Sequence, residues 1–570
     1  MYKEKLIPLL VKITRFKENQ ISDLIEIPPS MELGDYSFPC FILSKREKKS
    51  PIEIAKSFAI KLKKILPKEF EDVVNKGPYL NFFINKKVLA KYIIKINSNF
   101  GKTNLGKKKT ILIDYSAPNI GKPLHIGHIR GTIIGDSLMR IYDFLGYNPV
   151  GLNYLGDVGL HIGKLIVAYE LWLNKDALKK DPVNELLRLY VKFCSKEKSK
   201  VQMETEEELV DNEWTNKAKE KIKLFELGDK KTIKVWKSIY KSSMKGFNKV
   251  YDTLKVSFHD YTGQGQYETK GKEIVIEALK KGIAKQVDDG GIYFHPLKDN
   301  LEKKKFILRN NKTASYITYD IGAAYERNKK YNFKKIIYIT DLRQMEHFQS
   351  LFSFLKNMDY DFAKCMTHIP HGTLRFGNEI MATREGKVIL LEDVLNKAIE
   401  KAKSEIKKRK TKGDPEIVGV GAIKYIVLNS SPQRDINFTW NQALSFEGNS
   451  GPYLQYSFAR ATSIIKKAKN FNKGDTKINL KNYKFTTEEL TLIKKISDFP
   501  QIIIKAESDL NPAIIANYSF QLAQIFNEFY HACPVLKTNE EAFRLRLIDS
   551  FRTTLSNSLH LLGIEVMDEM

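Results

Sequence analysis

The sequence predicts an α/β protein built on a doubly wound parallel sheet with a helical insertion, an α+β module before it and an all-α domain after it. Three observations predict this. Between about 106 and 400, β-branched runs alternate with amphipathic helical stretches. After about 400 the strand signals fade and the apolar spacing becomes helical. A chain of 570 residues also exceeds what one hydrophobic core serves, which implies about three or four domains.

Residues 1–105 combine amphipathic helical stretches with the β-like GPYLNFFIN (77–85), and the Gly- and Lys-rich GKTNLGKKK (101–109) reads as a linker. KTILIDYS (109–116) is a β-branched run that turns at APN into IGHIRGTIIGDSLMRIYDFLGY. Apolar residues at 126, 129, 133, 138, 141 and 145 mark that stretch as a helix, stopped at Gly146. PVGLNYLGD (149–157) and KKIIYITD (334–341) predict a second and a third strand, the latter followed by a helix through EHFQSLFSFLKNM. The Lys- and Glu-rich stretch 175–250 has helical periodicity without turn clusters, and an insertion is expected over about 175–310. Domains are therefore expected at 1–105, 106–400 and 401–570, the last including the helical LAQIFNEFYHACPVL (522–536). No internal repeat is present.

Lysine plus arginine outnumber aspartate plus glutamate by 94 to 67, giving a formal charge of +27 that attracts a polyanion at long range. Nucleic acid is the partner this favours, although a Lys-, Ile- and Asn-rich composition produces the same excess. Cys40, Cys194, Cys365 and Cys533 are too dispersed for zinc-ligand spacing and too few to staple the chain, so no zinc and a reducing compartment are expected. The N-terminal run is broken by lysine and no stretch reaches the length of a membrane span, which predicts a cytoplasmic protein.

The segment PNIGKPLHIGH (118–128) lies where the first strand turns into the first helix, the place where such sheets bind ligands. His125 and His128 are three apart at a helix start, where backbone N–H groups and the helix dipole favour phosphate, and Gly127 leaves room for a planar base. Rival phosphate loops fail: GQYETKGKE (265–273) has the wrong glycine spacing, and GVGAIK (419–424) stops short of a dinucleotide loop.

PNIGKPLHIGH resembles the His-Ile-Gly-His signature of class I aminoacyl-tRNA synthetases, in the form typical of the arginyl-tRNA synthetase family. NYLGDVG (153–159), YITYDIGAAYER (316–327), MATREGK (381–387), GNSGPYLQYSFAR (448–460), FNEFYHACPVL (526–536) and LLGI (561–564) follow in that family's order. The resemblance implies a Rossmann-like catalytic domain, an N-terminal module on the tRNA elbow and a C-terminal anticodon-binding domain. It implies arginine activation by ATP, with magnesium as the nucleotide's counter-ion, and transfer to tRNA(Arg). His125, Gly127 and His128 would bind ATP, with Lys122 adding charge opposite the phosphates. MATREGK resembles the second class I signature, usually KMSKS. Thr383 stands at its usual second lysine, with Arg384 and Lys387 nearby, which leaves open the cation that serves the leaving pyrophosphate.

Arginine selection needs a planar acceptor that meets a guanidinium and rejects lysine's point charge. Tyr316 and Asp320, four apart in a helical stretch, share one face, so the ring can lie beside a guanidinium bound by the acid. The family resemblance places Gln344 as a further substrate contact and Ala117, Pro118, Asn119, His128 and Asn153 around the amino acid, with alanine at 117 where many relatives carry serine. Tyr453 and Tyr456 are candidates for stacking on tRNA bases, or for the packing of a helix core. A monomer is the family expectation.

Three rivals are weaker. A class I synthetase for another amino acid would carry zinc-ligand cysteines or a longer editing insertion, and a small nucleotidylyltransferase leaves the helical domain and the charge unexplained. A catalytically dead RNA-binding relative would have no reason to keep His125, His128, Lys122 and Asp320.

Overall fold

A computed structural model of the chain describes residues 2–28, 31–198, 212–296, 304–376, 389–468 and 478–570. The chain forms two compact units, one of Met1–Phe100 with Ala461–Phe499 and Leu522–Thr554, the other of Gly101–Arg460 with Pro500–Gln521 and Leu555–Met570.

The larger unit holds a five-stranded parallel sheet of β1 (Thr110–Asp114), β2 (Asn148–Leu155), β3 (Asp260–Gly263), β4 (Lys335–Asp341) and β5 (Met366–His371), in the order β5-β4-β1-β2-β3. All three strands expected from sequence are present. The two edge strands were not expected: β3 is only four residues long, and β5 contains Pro370, which an edge strand tolerates because one side of its backbone is unpaired. The insertion expected over 175–310 is accordingly divided. Among the described residues it is helical up to Leu254, and the chain then re-enters the main sheet at β3 before the three antiparallel strands Lys285–Gln286, Ile292–Phe294 and Lys305–Leu308.

Crossover helices cover both faces, as parallel strands require. On one side lies α1 (Ile126–Phe144), drawn close by its glycines: a Cβ at Gly135 would meet the Tyr115 ring at 2.2 Å. After β2 come α2 (Leu160–Trp172) and, beyond further insertion helices, α3 (Lys230–Leu254). On the other side α4 (Glu268–Lys280), α5 (Tyr316–Tyr331) and α6 (Met345–Asn357) share one apolar core with the sheet, including Leu112, Leu152, Ile336, Ile274, Ile321 and Phe354. A buried ion pair crosses this layer, with Arg327 on α5 donating to Asp114 at the end of β1 across 2.8 Å and stacking 4.6 Å from the Tyr154 ring. Burial opposes the charge on Arg327, but Asp114 together with Tyr338, Tyr267 and Tyr154 outweighs it and holds the guanidinium pKa above its ordinary value.

In the smaller unit, strands Tyr36–Pro39, Tyr79–Ile84 and Phe70–Lys76 form an antiparallel sheet beside helix Pro51–Lys63, whose start is closed by a Ser50/Glu53 capping box. Only the middle strand was expected. In the same unit Arg546 and Ser550 donate to the carbonyls of Ile94 and Ile93, and Arg544 meets the buried Glu489 at 2.8 Å.

Replacing Asp114 by asparagine should cost about 3–5 kcal/mol, because it leaves the Arg327 charge buried without its partner. Arg327→Met together with Asp114→Leu should recover most of that loss in denaturant unfolding followed by tryptophan fluorescence.

Candidate active site

The two signature histidines build the first turn of α1. His125 is its N-cap, and its Nδ1 accepts the Gly127 N–H at 3.1 Å; the Nδ1 of His128 in turn accepts the His125 N–H at 3.1 Å. This is a capping box made of two imidazoles, with ring centroids 4.0 Å apart. The Gly127 N–H therefore leaves the neutral His125 ring its proton on Nε2, whereas His128 Nδ1 lies between the His125 N–H at 3.1 Å and the His125 carbonyl at 3.2 Å and can accept from the one or donate to the other. Burial, with Lys122 and Arg343 nearby, lowers the His125 pKa, and burial, then the charge of His125, lowers that of His128 to about 3. At neutral pH the pair is uncharged, and the His125 ring presents a fixed Nε2–H donor at a helix N-terminus. Lys122 lies in the same electrostatic neighbourhood, its ammonium 4.8 Å from the Tyr190 ring.

The turn between β1 and α1 is strained, since Ser116 and Ala117 both hold positive φ, 74° and 46°. Pro118 accepts the Gly156 N–H, and Asn119 crosses Gly156 so closely that a Cβ there would come within 2.0 Å of the asparagine oxygen. Asn153, at the end of β2, is fully buried. Its Nδ2 donates to the Tyr251 hydroxyl at 3.0 Å, and a hydroxyl chain continues to Ser116 (2.7 Å), Thr132 (2.9 Å) and the His128 carbonyl (2.8 Å). Among the described residues the Oδ1 of Asn153 has no partner, a buried acceptor available to a ligand.

Tyr316 opens α5 and is 57% exposed, its hydroxyl opposite Gly159 beyond the end of β2. Asp320, one turn on, accepts from His347 Nε2 at 2.5 Å. His347 stands at the start of α6 beyond the carboxyl end of β4, in the segment that also holds Arg343 and the exposed Gln344. In a parallel sheet all carboxyl ends lie on one edge, so the histidine turn after β1, Asn153 on β2 and the His347–Asp320 pair share that edge.

Thr383, Arg384 and Lys387 lie outside the described residues. The chain that follows them is paired to the histidine turn: Ile126 N–H donates to the Ile389 carbonyl at 3.1 Å, and Leu391 N–H to the Leu124 carbonyl at 3.0 Å. Tyr453 and Tyr456 are half-buried on helix Gly451–Lys467. Tyr453 is edge-on to Phe520 at 5.8 Å, and the Tyr456 ring carries the Arg460 guanidinium at 4.8 Å, so each ring already has a partner within the protein.

Residues 91–440 match the family described as tRNA synthetases class I (R), catalytic domain, residues 2–84 the arginyl tRNA synthetase N terminal domain, and residues 454–570 the DALR anticodon binding domain. The chain belongs to the arginyl-tRNA synthetase family. It is a class I arginine–tRNA ligase, similar over 97% of its own length and of theirs to the enzyme of Clostridium kluyveri at 38% identity, and over the full length of both to that of Halothermothrix orenii, also at 38%. The fold matches the arginyl-tRNA synthetases of Thermus thermophilus (TM-score 0.82, 22% identity, 100% of both chains) and Plasmodium falciparum (TM-score 0.78, 24%, 99% of both).

The structure adds three residues to the synthetase's site that sequence reading passed over: His347, Tyr251 and His161. His161 reaches the Gly156 carbonyl at 3.2 Å, and burial, then Lys122, lowers its pKa to about 4. His347 sits in TDLRQMEHF (340–348), three residues after Gln344, but its pairing with Asp320 spans 27 residues and leaves no local signal. Tyr251 is one of two tyrosines in a lysine-rich helix.

The depressed imidazoles set a pH dependence. Unfolding lets His128 and His161 take up protons at their ordinary pKa near 6.5, so the unfolded state binds more protons between that value and the folded values of about 3 and 4. Stability should therefore fall as pH drops below about 6.5, by up to ~1.4 kcal/mol per pH unit for each ring. His161→Gln should flatten the slope of melting temperature against pH between 6 and 4.5; an unchanged slope would contradict the assignment.

Proposed function

We propose that His125 and His128 direct their Nε2–H groups to the phosphates of ATP, with Gly127 beneath the base and Lys122 opposing the developing negative charge. The arginine carboxylate attacks the α-phosphate, the bond to the pyrophosphate breaks, and arginyl-adenylate forms; the 3′-terminal hydroxyl of tRNA(Arg) then takes the acyl group and AMP leaves. No covalent enzyme intermediate is required, and the rate comes from positioning and fixed electrostatics. Neutral imidazoles suit this role because burial makes a standing positive charge costly, while an N–H donor strengthens as charge builds on the phosphate.

In the same reading Asp320 takes the guanidinium, with Tyr316 beside it and Gln344 at the rim. Asn153, Asn119, Pro118 and Ala117 enclose the α-amino and carboxyl end, where the unpartnered Asn153 oxygen suits an ammonium. Thr383, Arg384 and Lys387 serve the pyrophosphate. Magnesium arrives with ATP; among the described residues no cluster of His, Cys, Asp or Glu is arranged to hold a metal of its own. Residues 1–105 contact the tRNA elbow and 401–570 the anticodon, with Tyr453 and Tyr456 offering edges rather than open faces. A cytoplasmic monomer completes the proposal; among the described residues no helix is long and apolar enough to cross a membrane.

The observation that carries this reading is the common edge shared by the two-histidine cap and the His347–Asp320 pair. Asp320→Ala should lower kcat/KM for arginine by 10²-fold or more, equivalent to about 3 kcal/mol, with the KM for ATP nearly unchanged. Arginine-dependent exchange of labelled pyrophosphate into ATP, with tRNA present, measures it, and near-normal exchange would remove Asp320 from the arginine site. His347→Ala should raise the arginine KM about tenfold with little change in kcat, and His347→Asn, which keeps an N–H donor, should recover part of the loss.

A further inference from the structure

Helix α3 has two faces of opposite character. Its buried face builds the site: Ser243 Oγ accepts the Gly121 N–H at 2.8 Å, Trp236 donates to the Asp157 carbonyl at 3.2 Å, and Tyr251 bridges Ser116 and Asn153. The opposite face carries Lys230, Lys234, Lys237, Lys241 and Lys245, all exposed, with Lys231 beside them. At about 100° per residue the five fall within an arc of about 80°, and they run for about 22 Å along the axis at roughly one lysine per turn.

Such a row is ordinarily neutralised by glutamates at i±3 or i±4. Here the only acidic residue between Lys230 and Leu254 is Asp252, near the far end. Among the described residues none of the six lysines stands in an ion pair, whereas Lys217 and Lys221 on the preceding helix pair with Glu213 and Glu170, and Lys249 with Glu392. An unpaired row of this length repels itself and weakens the helix, a cost that composition alone does not require at these positions.

We propose that the outer face of α3 is a docking strip for the phosphate backbone of tRNA, and specifically for the arm that carries the 3′ end. A regular cationic row follows one strand of a nucleic acid, releasing counter-ions without reading bases. The arm follows from the opposite face of the same helix: the residues bonded to the site loop and the lysine row are separated by one helix diameter, so a strand held on the row is the part of the tRNA nearest the site. Binding there adds affinity and orientation, not sequence specificity.

The test replaces Lys234, Lys237, Lys241 and Lys245 together by glutamine in the full-length enzyme, with the same four changed to arginine as a charge-preserving control. Binding of unmodified tRNA(Arg) is measured by filter retention between 50 and 300 mM salt. The glutamine variant should show a Kd at least tenfold higher at low salt and a slope of log K against log salt shallower by about 3, since each phosphate-contacting lysine contributes ~0.7–0.9. The arginine variant should match wild type, and the KM values for arginine and ATP should hold in both. Iodine cleavage of phosphorothioate tRNA should lose its protection in the acceptor arm with the glutamine variant alone. An unchanged salt slope would mean that the row is only solvated, and loss of protection in another arm instead would overturn the placement.

Discussion

Two hydrogen bonds, each from a backbone N–H to the Nδ1 of a histidine, decide how this site works. They start helix α1, and the bond from the Gly127 N–H fixes the His125 tautomer with its proton on Nε2. A conventional aspartate cap would satisfy the same orphan N–H groups but offer no donor to a phosphate. Here one pair of residues meets the backbone's need and, in the proposed function, the ligand's need at once. Burial keeps the rings neutral, so they hold no standing charge that would cost free energy in the empty site.

Other features hold that turn in place. The left-handed Ser116 and Ala117 pair stores strain that the surroundings must hold, and the Asn153–Tyr251–Ser116–Thr132 chain does so by tying β2, α3 and the strained turn to the His128 carbonyl. The buried Arg327–Asp114 pair locks α5 to the end of β1, and α5 is the helix that presents Tyr316 and Asp320. The insertion helix is thus part of the catalytic architecture, although its composition looks like that of a solvated surface helix.

Legibility in the sequence followed the range of the interaction. The strand-to-helix switch around HIGH is local, so β1, α1 and the histidine spacing could be read directly, as could Tyr316 and Asp320 on one helical face. β3 and β5 could not: one is four residues of mixed polarity, and the other contains Pro370 and two histidines and is stabilised by its place at the edge of the sheet. The His347–Asp320 contact, the Tyr251 bridge and the sharing of one compact unit by residues 1–100 and parts of 461–554 depend on chain closure over long separations. Periodicity does not encode these. The tyrosines at 453 and 456 show the converse, since their helical spacing suits both base stacking and packing and the structure supplies protein partners for both.

The most direct measurement is the protonation state of the two cap imidazoles. With histidine labelled by 15N and the signals of residues 125 and 128 assigned by single replacement, transverse-relaxation-optimised spectra at pH 7 should show both rings neutral, with the His125 proton on Nε2. On lowering the pH to 5 His128 should not titrate. A charged ring at pH 7, or a proton on Nδ1 of His125, would contradict the account.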